Sequence, residues 1–274
     1  MKLKRNERIG ALIKLLCDSP NEVFTLSYFT SRFNAAKSTI SEDIVVAKKL
    51  MEDAKLGKIE TIAGAAGGVK YIPLANRESS RSLLEEMALK LSDSSRIIPG
   101  SLIYTADIIY DPSIVRKMGE IFATQFIHES IDYIITVETK GIPLALMTAN
   151  AMNIPLVILR RDSKVTEGST VSINYVSGST GKIQTMSISK RAMKTGASVL
   201  IIDDFMKGGG TAKGMIDMMK EFDAKVKGIG VMIATKEPKD KLVENFVPLL
   251  ILEQIHEGSK KIYIHPNENL TYGD

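Results

Sequence analysis

The chain has 274 residues, 44% of them hydrophobic and 25% charged, a globular composition with length for about two cores. No apolar run reaches the roughly 20 residues of a membrane-spanning helix; the N-terminus lacks the apolar core of a secretion signal; and the lone Cys17 excludes an internal disulfide framework and suits a reducing cytoplasm. The net charge of +4 is carried by the first quarter: residues 1–74 contain twelve Lys/Arg against eight Asp/Glu, whereas the other 200 residues contain 24 of each, so an anionic partner is expected for the N-terminal part.

In chain order, Ile9, Leu12, Ile13 and Leu16 recur at helical spacing and predict a helix over about residues 5–17, ended by Pro20-Asn21. Cys17 closes it as a small core residue. Thr25 is placed to cap a short second helix carrying Leu26, Phe29 and Phe33. Thr39-x-x-Glu42 fits a capping box for a third helix, on which Ile40, Ile44, Ala47 and Met51 share a face. Beyond Gly57, residues 59–63 and 69–72 read as two strands joined by a glycine-rich turn at 64–68. Three helices and a hairpin form the order of a winged helix-turn-helix. At the start of the third helix Lys37, Ser38, Thr39 and Ser41 offer short polar and basic groups to a DNA major groove. Arg5, Arg8, Arg32 and Lys70 are candidate phosphate contacts, with Gly67 in the wing turn beside them. Glu42 and Asp43 must turn away for this face to meet DNA.

A polar linker is expected over 74–81, dividing a domain of residues 1–74 from one of 75–274. A helix over about 78–91 follows, with Leu83, Leu84, Met87 and Leu91 inward. After Pro99-Gly100, residues 102–109 read as a strand or extended arm bearing a candidate ligand contact, Tyr104. A helix over 113–129 buries Ile114, Met118, Ile121, Phe122 and Phe126. Strands at 133–137, 156–159, 199–202 and 228–233 then alternate with helices at 142–152 and 212–222, and a hairpin is expected at 171–176 and 183–188. The fold class is α/β: a winged helix followed by a parallel-sheet domain with ligands at the strands' C-terminal ends.

The most informative stretch is Val199-Leu200-Ile201-Ile202-Asp203-Asp204-Phe205-Met206-Lys207-Gly208-Gly209-Gly210-Thr211. Four apolar residues without polar alternation suit a strand covered on both faces. The glycines free backbone amides to turn inward, and Thr211 adds a hydroxyl at a helix start, which together bind phosphate. Asp203 and Asp204 suit the hydroxyls of a sugar attached to that phosphate, or Mg²⁺. Neither a G-x-x-x-x-G-K-[ST] loop nor a G-x-G-x-x-G loop is present. The pattern resembles the phosphoribosyl pyrophosphate (PRPP) motif of type I phosphoribosyltransferases. On that resemblance Thr139, Lys140 and Gly141, after the strand at 133–137, match the loop that holds the diphosphate. Lys164 matches a mobile segment that closes over the ligand. The histidines, His128, His256 and His265, are scattered and suggest no metal cluster.

Ser38-Thr39-Ile40-Ser41-Glu42-Asp43, Gly64-Ala65-Ala66-Gly67-Gly68-Val69-Lys70-Tyr71, the segment from Lys164 to Gly178 and the Asp203-Asp204 loop together resemble the purine operon regulators of Gram-positive bacteria. The resemblance spans nearly the whole chain, least distinctively from about Pro238. It implies a winged helix joined to a phosphoribosyltransferase-like domain that binds PRPP as effector, with or without Mg²⁺, without known transferase activity. It also implies a homodimer on double-stranded DNA at paired operator sites upstream of purine genes. Gly208-Gly209-Gly210 departs from the family's usual Ala-Gly-Gly. Two other readings stay open on the residues alone: an active phosphoribosyltransferase with an accessory nucleic-acid-binding domain, and an RNA-binding attenuator.

Overall fold

The computed structural model describes residues 3–64, 67–100, 102–162, 168–176 and 181–273. Its first helices, α1 (Arg5–Asp18), α2 (Leu26–Phe33) and α3 (Lys37–Asp53), pack their apolar stripes around Leu12, Leu16, Phe29 and Ile40, all fully buried. The hairpin of β1 (Lys58–Ile62) and β2 (Gly68–Ile72) closes this core with Ile59 and Val69. Phe24 adds a short third pairing, exchanging both backbone hydrogen bonds with Val69 at 2.8 and 2.9 Å. The arrangement is the expected winged helix.

The start of α3 differs from the expectation. Ala36 is the cap residue, without a side-chain cap bond, and Thr39 lies inside the first turn, so no capping box forms. The reason lies upstream: Asn34 ends α2 in the left-handed region at φ 47°, and α3 resumes only three residues later. Arg8 also differs. It is buried, and its guanidinium donates to both carboxylate oxygens of Asp43, Nη2 to Oδ1 at 3.1 Å and Nε to Oδ2. Arg8 is therefore an internal counter-charge and no phosphate contact. The same pair turns Asp43 inward, whereas Glu42, also expected to turn away, stays exposed beside Lys37, Ser38 and Ser41.

Asn76 caps α4 (Arg77–Leu91), accepting the Ser79 amide at 3.0 Å, so the linker is shorter than expected. The region expected as a strand or arm is instead a two-rung hairpin of β3 (Ile97–Ile98) and β4 (Leu102–Ile103), then a one-turn helix α5 (Ala106–Ile109). Adjacent Ile108 and Ile109 are both fully buried, which the helical turn allows by setting both into the core. After α6 (Pro112–Gln125) come β5 (Tyr133–Val137), α7 (Gly141–Met152), β6 (Leu156–Leu159), the ribbon β7 (Thr170–Val176) and β8 (Ile183–Ser189), β9 (Ser198–Met206), α8 (Gly210–Lys220) and β10 (Lys225–Thr235). Two further strands, β11 (Phe246–His256) and β12 (Lys261–Pro266), extend the sheet from the tail, where the sequence signals little.

The sheet runs β12-β11-β10-β9-β5-β6, parallel except for β12. Leu200 and Ile202 of β9 join the core under α4, α6 and α7, whereas Val199 and Ile201 join the core under α8 and the ribbon. Both faces are covered, which explains the unbroken apolar run. The winged helix meets this layer through Asn21, whose side-chain amide donates to the Ala151 carbonyl at 2.8 Å near the end of α7. The Ala75 amide donates to Thr124 Oγ1 of α6 at 2.8 Å. No helix among the described residues is long and apolar enough to cross a membrane.

Removing one partner of a buried, doubly hydrogen-bonded ion pair leaves the other uncompensated, at a cost of about 3–5 kcal/mol. Asp43→Ala is thus expected to give the full chain an early urea-unfolding transition confined to the winged helix. An unchanged unfolding curve by far-UV circular dichroism contradicts this account of Arg8.

Candidate functional site

The site begins where β9 runs out of sheet. Lys207, Gly208 and Gly209 lead into α8, whose cap is Gly209 at φ +80°, a conformation that favours glycine. A Cβ there also meets Val243 Cγ2 at 3.1 Å. The amides of Gly210, Thr211 and Ala212 lie in the first helical turn, without intrahelical acceptors, at the positive end of an eleven-residue helix. Asp203 and Asp204 precede this loop, and the Asp204 amide donates to Asp203 Oδ1 at 2.9 Å.

The parallel pairing of β5 with β9, Tyr133 opposite Val199 through Ile135 opposite Ile201, sets a second loop beside the first. Here Glu138, Thr139 and Lys140 precede Gly141, the first residue of α7. Gly141 is a position of close approach: a Cβ on it stands 2.5 Å from Thr136 Oγ1 and 3.1 Å from Asp203 Oδ1. Thr136 Oγ1 is buried and has no hydrogen-bond partner among the described residues.

The two loops open on a cavity of about 560 Å³. Of the residues expected to hold a ligand, Asp203, Asp204, Phe205, Met206, Lys207, Gly209, Gly210, Thr211, Thr139 and Lys140 line it. Gly208 and Gly141 belong to the same loops but stand outside the lining. Tyr104 is exposed and does not line the cavity; its neighbours Ile103 and Thr105 do. Lys164 lies outside the described residues.

Several lining residues escaped the sequence reading. The cavity wall includes Ile98, Leu102 and Tyr110 from the β3–β4 hairpin and the turn after α5, so the 97–110 region closes it and the tail from Lys239 does not. Arg161 and Glu138 also line it, tied together by the Arg161 amide donating to Glu138 Oε1 at 2.6 Å. Tyr175 and Gln184 come from the ribbon and share a 2.8 Å hydrogen bond. The ribbon lies on α8 at Gly214, where a Cβ meets Met186 Cε and Tyr175 Cβ at 2.9 Å. Basic Arg160-Arg161 was the signal available in the sequence; the hairpin's apolar residues carried none.

The acidic pair is electrostatically costly. Burial, then the neighbouring charge of Asp204, pushes the Asp203 carboxyl well above the usual carboxylate range. Burial also raises Asp204, against the hydrogen bond with Asp203 and the charge of Lys140, both of which favour its ionised form. Among the described residues no group of three or more His, Cys, Asp or Glu gathers into a metal cluster.

On the winged helix, Lys37, Ser38, Ser41, Arg5 and Arg32 are exposed and Thr39 is half-buried. The Ser41 hydroxyl donates back to the Lys37 carbonyl at 3.0 Å. Lys70 is three-quarters covered and pairs with Glu60 at 3.5 Å. Gly67 lacks room for a side chain: a Cβ meets the Ile62 carbonyl at 2.3 Å.

The sign of the Asp203 shift has a measurable consequence. The folded chain retains a proton that the unfolded chain releases in the ordinary carboxylate range. Stability on this account falls as pH rises above that range, until the folded group itself ionises. Asp203→Asn is expected to match the wild type in urea unfolding at about pH 4 and to exceed it by a margin that widens as pH rises above the ordinary carboxylate range. A margin that is flat or shrinks with pH contradicts the burial argument.

Two family models match the chain: bacterial purine repressor, N-terminal, over residues 4–73, and phosphoribosyl transferase domain over residues 105–259. The purine biosynthesis transcriptional repressor PurR of Bacillus subtilis (strain 168) is 46% identical over 272 residues, 99% of this chain and 95% of that one. The purine biosynthesis transcriptional activator PurR of Lactococcus lactis (strain IL1403) is 38% identical over 95% of this chain and 96% of its own. A xanthine phosphoribosyltransferase from Streptococcus pneumoniae (serotype 4) is 31% identical over 63% of this chain and 91% of its own. Among solved structures, adenine phosphoribosyltransferase from Saccharomyces cerevisiae superposes with a TM-score of 0.53 at 20% identity, over 61% of this chain and 98% of that one, a likeness of fold. Identity near one half along almost the full length of both chains, with a purine-repressor model on the winged helix, shows that the chain belongs to the bacterial purine repressor family.

Proposed function

We propose that the protein is a DNA-binding transcription regulator of purine biosynthesis and salvage genes, and that its cavity binds PRPP as effector. The observation that carries the reading is the juxtaposition of two anion-binding loops across the β5–β9 pair, with the Asp203-Asp204 pair at their junction. PRPP has a matching layout, a 5′-phosphate and a diphosphate on opposite sides of a ribose. In this reading the loop from Lys207 to Thr211 takes the 5′-phosphate through amides and the helix dipole. Asp203 and Asp204 accept hydrogen bonds from the ribose hydroxyls. Thr139 and Lys140 hold the diphosphate, and Arg161 adds a second cation on that wall. Mg²⁺ accompanying the diphosphate would rest on the Asp pair and on phosphate oxygens, offsetting their charge.

The winged helix supplies the output. Its exposed Lys37, Ser38 and Ser41 face the major groove, and Arg5 and Arg32 flank them for phosphates. Two copies acting as a dimer then occupy paired operator sites. The full-length relatives named as regulators include both a repressor and an activator, so the sign of regulation follows from where the operator lies relative to the promoter. Transferase chemistry is the competing reading, favoured by the 31% identity to the pneumococcal xanthine enzyme. Turnover of PRPP with xanthine, guanine, hypoxanthine or adenine at ordinary enzymatic rates, of about 1–10³ per second, overturns the regulator-only reading.

The reading also predicts a separation of functions. In gel shifts on a purine operator, Asp204→Ala is expected to bind DNA within about twofold of the wild type and to lose the shift in affinity that PRPP causes. A variant that still responds at the wild-type PRPP concentration removes Asp204 from the effector site. Coupling energies of this kind run to about 1–3 kcal/mol, or roughly 5–150-fold in affinity.

A further inference from the structure

The back of the phosphate loop is fastened by chain that lies outside the cavity. Lys241 stands in the connection between β10 and β11, and its ammonium donates to the Lys207 carbonyl at 2.6 Å, to the Pro238 carbonyl at 3.1 Å and to Thr235 Oγ1 at 3.5 Å. One residue on, the Leu242 amide donates to the Gly208 carbonyl at 3.0 Å. Val243 then packs against Gly209. Two successive carbonyls of the loop, those of Lys207 and Gly208, are thus held on the side away from the ligand.

Peptide geometry converts that anchoring into anion binding. In a planar trans peptide the C=O of one residue and the N–H of the next point in opposite directions. Drawing the Lys207 carbonyl backward turns the Gly208 amide forward, and drawing the Gly208 carbonyl backward does the same for Gly209. A glycine run has little intrinsic preference for this shape, so the fastening must come from outside it. Lys241 is half-buried, and burial lowers its pKa below the ordinary lysine range. A cation is being kept partly out of water in order to hold carbonyl oxygens.

Building on the PRPP reading above, we propose that Lys241 is a positioning residue for the effector: it fixes the amide-forward shape of the 207–209 loop and adds a positive charge behind the 5′-phosphate site. Hydrogen bonds to a charged group contribute more than neutral ones, and losing one here corresponds to about a tenfold loss of affinity.

Titration calorimetry of the full chain with PRPP, and separately with inorganic pyrophosphate, tests this in the wild type, Lys241→Met and Lys241→Arg. Lys241→Met is expected to lose about tenfold in PRPP affinity and to bind pyrophosphate within twofold of the wild type, because pyrophosphate occupies the Lys140 loop. Lys241→Arg is expected to recover most of the loss. Should the Met variant fail to fold, Lys241→Gln supplies a neutral donor, with a smaller but still PRPP-selective loss expected. Equal losses for both ligands, or PRPP binding unchanged in the Met variant, overturn the proposal while leaving the PRPP reading standing. A wild type that binds no PRPP overturns the PRPP reading and this proposal with it.

Discussion

Everything in the phosphoribosyltransferase-like half depends on placing two carboxylates and a glycine-rich loop at the end of a strand buried on both faces. Val199 to Ile202 anchor β9 between two helical layers, so Asp203 and Asp204 have little freedom to retreat into water. Burial raises both carboxyls above their usual range, and the charge of Asp204 adds to the shift of Asp203. Such a pair is a poor choice for stability and a sound one for recognition, since a ligand bearing hydroxyls or a cation relieves the cost on arrival. The close approach at Gly141, the Thr136 hydroxyl without a partner among the described residues and the left-handed Gly209 all gather around the same cavity.

The winged helix solves a different electrostatic problem. A DNA-reading helix needs a cationic rim, yet α3 carries Asp43 nearly two turns into its length. Folding disposes of that charge inward, onto Arg8 of α1. The exposed side of the helix start keeps Lys37, Ser38 and Ser41. The two halves meet where α7 links them: its first turn follows the Glu138–Lys140 loop, and its last carries the carbonyl that Asn21 grips. At about 18 Å, the twelve-residue helix runs from the β5 loop to the turn between α1 and α2.

Periodicity made most of this architecture legible. The three N-terminal helices, the wing, the parallel strands and the ribbon follow from apolar spacing, and the Asp-Asp-glycine loop follows from residue types that few other chemistries need in that order. What escaped the sequence was non-local. Arg8 reads as a surface cation until its partner, 35 residues away, is seen beside it. Thr39 reads as a cap until the left-handed Asn34 moves the helix start. Ile98, Leu102 and Tyr110 carry no local mark of a ligand wall, and a two-residue strand falls below the reach of any period. The tail strands β11 and β12 were missed although Gly258-Ser259 between them and Pro266-Asn267 at the end of β12 are turn signals.

The central claim is that occupancy of the phosphate cradle and occupancy of DNA are linked. Linkage is reciprocal: if PRPP changes the affinity for operator, operator changes the affinity for PRPP by the same factor. The direct measurement is the dissociation constant of PRPP by titration calorimetry, with the wild-type chain free and with it saturated by a purine-operator duplex. The account predicts two constants that differ by the factor separating operator affinities with and without PRPP. Equal constants, with PRPP bound in both states, contradict it.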